Sequence, residues 1–157
     1  MALREVKNIP SDRGVVTEIY RRDWKLDEEE VDQAFQVLIL PGGISAWHAH
    51  QVTTDRLFVS MGLVRIVLYD PRRDSPTYGM VNEFRLGPVR PGLLVVPPKV
   101  WHGVQNMGAE AAVVVNLSDR AYRYEDPDHW RLPPGSPEIA YRFPPSAPRG
   151  DRESGPG

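Results

Sequence analysis

Cysteine is absent from this 157-residue chain. That excludes disulfide staples, a thiolate nucleophile and any zinc or iron site built on sulfur, and it leaves the redox compartment open. A block of basic residues is also missing. The formal net charge is −2, and no lysine- or arginine-rich stretch stands out, so no nucleic-acid partner is expected. The longest apolar runs, at 37–40, 93–96 and 111–115, fall far short of the roughly 20 residues that span a bilayer. No membrane partner is expected. The opening MALREVKNIPSDRG has no apolar stretch behind its charges, unlike a secretory leader. A cytoplasmic protein is the expectation.

What the chain does have is punctuation. Sixteen prolines and thirteen glycines argue against long helices and for short strands joined by turns. Strands are expected at 15–20, 36–40, 46–51, 56–61, 64–69, 81–86, 93–96, 100–105 and 111–117, with a last one at 141–143. Residues 1–10 read as an arm, and the acidic stretch 24–35 as no more than a helical turn. The pattern is all-β, an antiparallel sandwich or jelly-roll barrel with little helix. One domain over 1–143 is expected, followed by a Pro/Gly-rich tail at 144–157 too poor in apolar residues to fold.

Chemistry concentrates in two stretches. GGISAWHAHQVTTDRLFVSMG, residues 42–62, carries His48 and His50. On a strand, residues i and i+2 share a face, so the two imidazoles project together while Trp47 and Ala49 face the other way. PPKVWHGVQN, residues 97–106, adds His102. Three imidazoles and the carboxylate of Asp55 form a set that a divalent first-row metal accepts.

The spacing of Gly42, His48, His50, Asp55 and Gly62 resembles the first motif of the cupins, with aspartate where glutamate is usual. Pro97, His102 and Asn106 resemble the second, with Lys99 where glycine is usual. That resemblance implies a cupin jelly roll. In its metal-dependent form, zinc, iron, nickel or manganese would be held by His48, His50, Asp55 and His102.

A narrower resemblance runs from about residue 8 to 143. SDRGVVTE at 11–18, RRDSPTYG at 72–79 and the stretch from Pro97 through His102-Gly103 are similar to motifs of the dTDP-4-dehydrorhamnose 3,5-epimerase family, in that family's order. The resemblance implies a nucleotide sugar as partner, a homodimer and no cofactor. Arg13 and Glu18 would hold the nucleotide, often across the dimer interface, with His50 and Arg73 as further substrate contacts. His48 would be the base and His102 a second catalytic imidazole. Arg56 would stand near the place of the cation that stabilises an enolate.

Two positions depart from the family. Its catalytic tyrosine falls near Val113, and the aspartate that orients its histidine falls near Leu132. Three readings therefore stand side by side: a nucleotide-sugar epimerase or isomerase with His48 as base, a metal-dependent cupin enzyme, and a non-catalytic barrel that binds a small carbohydrate.

Overall fold

The computed structural model describes residues 1–145; the disorder expected of the tail beyond them lies outside the described residues. The strands run β1 (Ala2–Glu5), β2 (Asn8–Ser11), β3 (Gly14–Thr17), β4 (Gln33–Ile39), β5 (Ile44–Ala49) and β6 (Asp55–Met61). They continue as β7 (Val64–Tyr69), β8 (Val81–Leu86), β9 (Gly92–Val96), β10 (Trp101–Asn106), β11 (Ala112–Ser118) and the short β12 (Trp130–Arg131). One five-stranded sheet has the order β1-β9-β6-β11-β4, the other β12-β5-β10-β7-β8, and β2 and β3 form a separate hairpin. All the pairings are antiparallel. This is the sandwich that the strand spacing anticipates.

Alternation builds the core. On β7, Val64, Ile66 and Leu68 point inward and meet Leu57 and Val59 of β6, Leu94 and Val96 of β9, and Val114 of β11. The other face of β7 is also covered, because Val67 packs in a second cluster with Trp47 and Ile139, backed by Tyr141 and Phe143. Trp47 is completely buried there, packed at 5.1 Å against Phe143 with the rings tilted by 41° and edge-on at 6.1 Å to Tyr141. The outward turn expected of Trp47 thus leads into a packing layer supplied by the C-terminal segment.

Gly62 closes the β6–β7 turn at φ +80, where a Cβ would fall 2.7 Å from that of Ala112. Only glycine fits that position.

Three expectations change. The arm at 1–10 contains β1, an edge strand paired to β9. Residues 141–143 form no strand; their rings are used for packing instead. The stretch 24–35 begins at the end of the 3-10 turn Arg22–Trp24 and ends in β4, and between them Asp27 grips Arg56. No helix among the described residues is long and apolar enough to cross a membrane.

Candidate active site

All four histidines of the sequence meet at one place. On β5, His48 stands in register with His102 of β10 on one side and with Arg131 of β12 on the other. His129, just before β12, closes the group. The ring centroids form a quadrilateral: His48 to His102 5.9 Å, His102 to His50 5.8 Å, His50 to His129 5.2 Å and His129 to His48 5.0 Å. The two-residue period of β5 puts His48 and His50 on the same face, and β10 and β12 bring the other two rings alongside.

His129 is held there by Asp128. The Asp128 carboxylate accepts the backbone N–H groups of Gln51, Val52 and Thr53 and the Thr53 hydroxyl, which clamps this segment to the turn after β5. Those bonds favour its ionised form, and although burial opposes them its pKa lies below the ordinary value.

The His48 ring is engaged at both nitrogens. Nε2 lies 2.9 Å from Ser45 Oγ, and Nδ1 lies 2.8 Å from His129 Nε2. The far side of His129, Nδ1, is 3.3 Å from an Arg131 guanidinium nitrogen. A guanidinium can only donate, so that contact requires a bare His129 Nδ1 and a protonated His129 Nε2. His48 then accepts at Nδ1 and keeps its own proton on Nε2. In the opposite tautomer, which forgoes the Arg131 contact, His48 Nδ1–H would donate to His129 and Nε2 would be free to take a proton. Burial, and then the charges of His102 and Arg131, push the His48 pKa down to about 4. Burial and the same neighbourhood bring His129 to about 4 as well. Both rings are neutral at physiological pH.

The other half of the group is ionic. Asp55 is buried, and its Oδ1 accepts a 2.7 Å bond from Asn116. Its Oδ2 faces His50 Nε2 at 3.1 Å and His102 Nε2 at 3.4 Å. Burial works against its charge, but the His50 bond, His102 and Asn116 outweigh it and hold the pKa at about 2. Burial likewise opposes a charged His50, yet Asp55 and the Asp128 carbonyl raise its pKa. His102 has its pKa lowered by burial.

These groups line a cavity of about 990 Å³, together with Ser45, Leu57, Val104, Val114, Asn116, Tyr122 and Tyr124. The volume suits a ligand larger than a free monosaccharide. His48, His50, Asp55 and His102 all line it.

Arg56 does not reach it. It sits on the opposite face of β6 from Asp55, fully buried, with its guanidinium bonded to the Asp27 carboxylate and the carbonyls of Leu117 and Glu29. The expectation of Arg56 as the enolate's cation is therefore corrected by strand alternation. Arg13 and Glu18 lie exposed, Arg13 at the tip of the β2–β3 hairpin and Glu18 beside Arg21 at 3.1 Å. Neither lines this chain's cavity. Arg73 is exposed in the loop after β7, while its neighbour Arg72 is bound to Asp70.

Sequence reasoning missed His129, Asp128, Ser45 and Asn116. The place expected of the histidine-orienting aspartate, at Leu132, holds no partner for His48; the partner comes three residues earlier, as an imidazole. The run Asp126-Pro127-Asp128-His129-Trp130 carried the signal, since it holds the one histidine that neither motif claims.

Two antiparallel sheets closed over an imidazole-lined cavity make this a jelly roll of the cupin type. The chain belongs to the dTDP-4-dehydrorhamnose 3,5-epimerase family, whose family model matches residues 1–152. It is 33% identical over 134 residues to a probable low-salt glycan biosynthesis epimerase, Agl13, of Haloferax volcanii, covering 83% of this chain and 85% of that protein. It is also 33% identical over 132 residues to the spore coat polysaccharide biosynthesis protein SpsL of Bacillus subtilis, covering 84% and 87%. The crystal structure of a dTDP sugar isomerase from Desulfovibrio desulfuricans G20 superimposes with a TM-score of 0.82 at 32% identity, covering 89% of this chain and 88% of that one.

Proposed function

We propose that this chain, as a cytoplasmic homodimer, epimerises a dTDP-linked 4-keto-deoxysugar, with His48 removing the proton next to the ketone. The observation that carries this reading is the state of His48: a neutral imidazole on the cavity wall, its ring gripped from both ends by Ser45 and His129. Abstraction runs through the tautomer with His48 Nδ1 protonated. Nε2 takes the carbon-bound proton, the electron pair moves onto the ketone oxygen as an enolate, and His129 Nε2 accepts a hydrogen bond from the new imidazolium. Ser45 Oγ donates to His48 Nε2 until substrate displaces it.

Inversion needs a second group to return a proton to the opposite face. Tyr122 and Tyr124, in edge contact at 5.1 Å, place hydroxyl-bearing rings on the cavity lining, and we assign the return to one of them. Arg13 and Glu18, absent from this chain's own cavity, serve the nucleotide in the partner's. Proton transfer next to a ketone needs no cofactor.

The test is solvent-deuterium exchange at the sugar carbons of dTDP-4-keto-6-deoxyglucose. The wild-type protein is expected to exchange, His48→Ala to be inert, and dTDP to raise the melting temperature. Exchange that survives in His48→Ala removes His48 from the role, and no thermal shift with any nucleotide at roughly millimolar concentration overturns the whole reading.

A further inference from the structure

Base catalysis needs one tautomer of His48, and the contacts around its ring select the other. We infer that Arg131 is a positioning residue that couples ligand binding to that choice. It holds the His48–His129 pair in the unproductive tautomer while the cavity is empty, and a phosphate-bearing ligand releases His48 as a base by drawing the guanidinium away. The inference rests on the epimerase reading for its consequence, though not for its test.

Three observations carry it. The first is a chain of contacts that has a direction. Arg131 Nη2 lies 3.3 Å from His129 Nδ1, His129 Nε2 lies 2.8 Å from His48 Nδ1, and His48 Nε2 lies 2.9 Å from Ser45 Oγ. A guanidinium only donates, so with both rings neutral every donor in the series points from Arg131 towards Ser45. His48 Nε2, which must be bare to take a carbon-bound proton, then carries a proton of its own. The Arg131–His129 contact and a basic His48 Nε2 exclude each other.

The second is where the guanidinium stands and what it lacks. Arg131 on β12 is in register with His48 on β5, so both side chains leave the same face of the sheet. Arg131 lines the main cavity and also a smaller one of about 450 Å³, walled by Ile44, Ser45 and Pro133, and His48 lines both as well. Its neighbour Arg123 has Asp126 at 4.0 Å, but among the described residues no carboxylate pairs with Arg131. A cation whose contact is a long bond to a neutral ring is loosely held. A phosphate offers it a charge-assisted, bidentate alternative.

The third is that the backbone need not move. Leu132 N–H donates to the Trp47 carbonyl at 3.1 Å and Trp47 N–H to the Leu132 carbonyl at 2.6 Å, which pins this segment to β5. The Arg131 side chain itself is exposed, and a change of rotamer is enough to break its contact.

The shift conserves protons. The proton between the rings passes from His129 Nε2 to His48 Nδ1. His48 gives its Nε2 proton to solvent, and His129 takes one from solvent at Nδ1. The new His129 Nδ1–H offers the arriving anion a second donor, where a bare lone pair had faced it. The diphosphate of a nucleotide sugar is such an anion. A free sugar leaves His48 Nε2 protonated, so the chain discriminates against it in the chemical step as well as in binding.

The experiment reads the tautomers by long-range proton–nitrogen NMR of full-length protein with isotope-labelled histidine, each ring assigned by replacing it. Empty wild-type protein is expected to show His48 and His129 both protonated at Nε2, and saturation with inorganic pyrophosphate or dTDP to move both protons to Nδ1. Arg131→Met removes the donors and is expected to lose the Nε2 preference in the empty protein, with no further change on adding pyrophosphate. Arg131→Lys, which keeps a charged donor, should restore the preference. Solvent-deuterium exchange into free 4-keto-6-deoxyglucose is expected to rise severalfold when pyrophosphate is added to the wild type and to be indifferent to it in Arg131→Met. His48 protonated at Nδ1 in the empty wild type overturns the inference. So do tautomers that stay put at saturating pyrophosphate and dTDP, and an Arg131→Met variant that matches the wild type in both states. The spectra contain no sugar, so they succeed or fail independently of the epimerase reading, which wild-type exchange into dTDP-4-keto-6-deoxyglucose reports.

Discussion

His129 Nε2 lies 2.8 Å from His48 Nδ1, so the group that orients the proposed base is itself an imidazole. A neutral imidazole partner fixes a tautomer and a ring plane without adding a charge. Its contribution is alignment. His129→Ala is expected to lower kcat for solvent exchange roughly tenfold to a hundredfold, the range that loss of alignment costs, with KM nearly unchanged. His129→Asn keeps an acceptor oxygen for His48 Nδ1–H and should recover part of the loss. If the two variants are equally impaired and equally destabilised, the role of His129 is structural.

The Arg56–Asp27 pair makes a prediction opposite to the one its motif position suggests. Arg56 is completely buried and its bonds run to Asp27 and to backbone carbonyls, not to the cavity. Removing one member of a buried pair leaves the other uncompensated, at a cost of about 3–5 kcal/mol. Asp27 is partly exposed, so Asp27→Ala belongs at the lower end of that range. The variant is expected to lose stability in urea unfolding while its KM for a nucleotide sugar stays put. A large rise in KM with unchanged stability would return Arg56 to the site.

The contrast between His48 and Arg56 shows what could be read from the chain. A two-residue period fixes which side chains share a face, so the pairing of His48 with His50 and the outward course of Trp47 were legible, as were the central strands. The same rule, applied to Asp55 and Arg56, places them on opposite faces, and motif position had masked that. His129 was illegible for another reason. It sits 81 positions from His48 in an irregular, proline-rich segment, where no periodicity predicts direction. Its place depends on Asp128 capping three backbone N–H groups of the turn after β5, a long-range bond that local pattern cannot announce. The strand at β1 was missed similarly: only the free edge of β9 makes those four residues extended.

Gly103 follows His102 on β10 and turns its Cα towards the aromatic layer. A Cβ there would meet Ala46 Cβ at 2.5 Å and a Phe143 ring carbon at 2.9 Å. Ala46 is fixed on β5, so relief has to come from Phe143 or from the spacing between β5 and β10. Gly103→Ala is expected to cost about 1–3 kcal/mol, as overpacking generally does. It should also disturb the adjacent His102. Gly103→Ala combined with Phe143→Leu, which makes room on one side, should recover part of the stability; no recovery would locate the strain in the β5–β10 spacing.

Asp70 gives the pH dependence of the fold. The carboxylate is buried at the end of β7 and accepts bonds from the backbone N–H and guanidinium of Arg72, from Ser75 Oγ at 2.7 Å and from Thr77 Oγ1 at 2.6 Å. Arg72 above all, with the two hydroxyls, holds its pKa well below the ordinary aspartate value of 3.8, against the opposing effect of burial. In acid the unfolded chain therefore binds this proton more readily than the folded one. The stabilisation is present in full above the unfolded pKa and is lost as the pH falls through the folded value. Asp70→Asn is expected to cost roughly 1–3 kcal/mol near neutrality, the worth of a buried charge-assisted hydrogen bond. The gap between variant and wild type should begin to narrow once the pH drops below about 4 and go on narrowing as the pH falls towards the folded value. Melting curves of both proteins from pH 7 to pH 2.5 measure it, and a gap that stays constant across that range would mean that the Asp70 pKa is not shifted by folding.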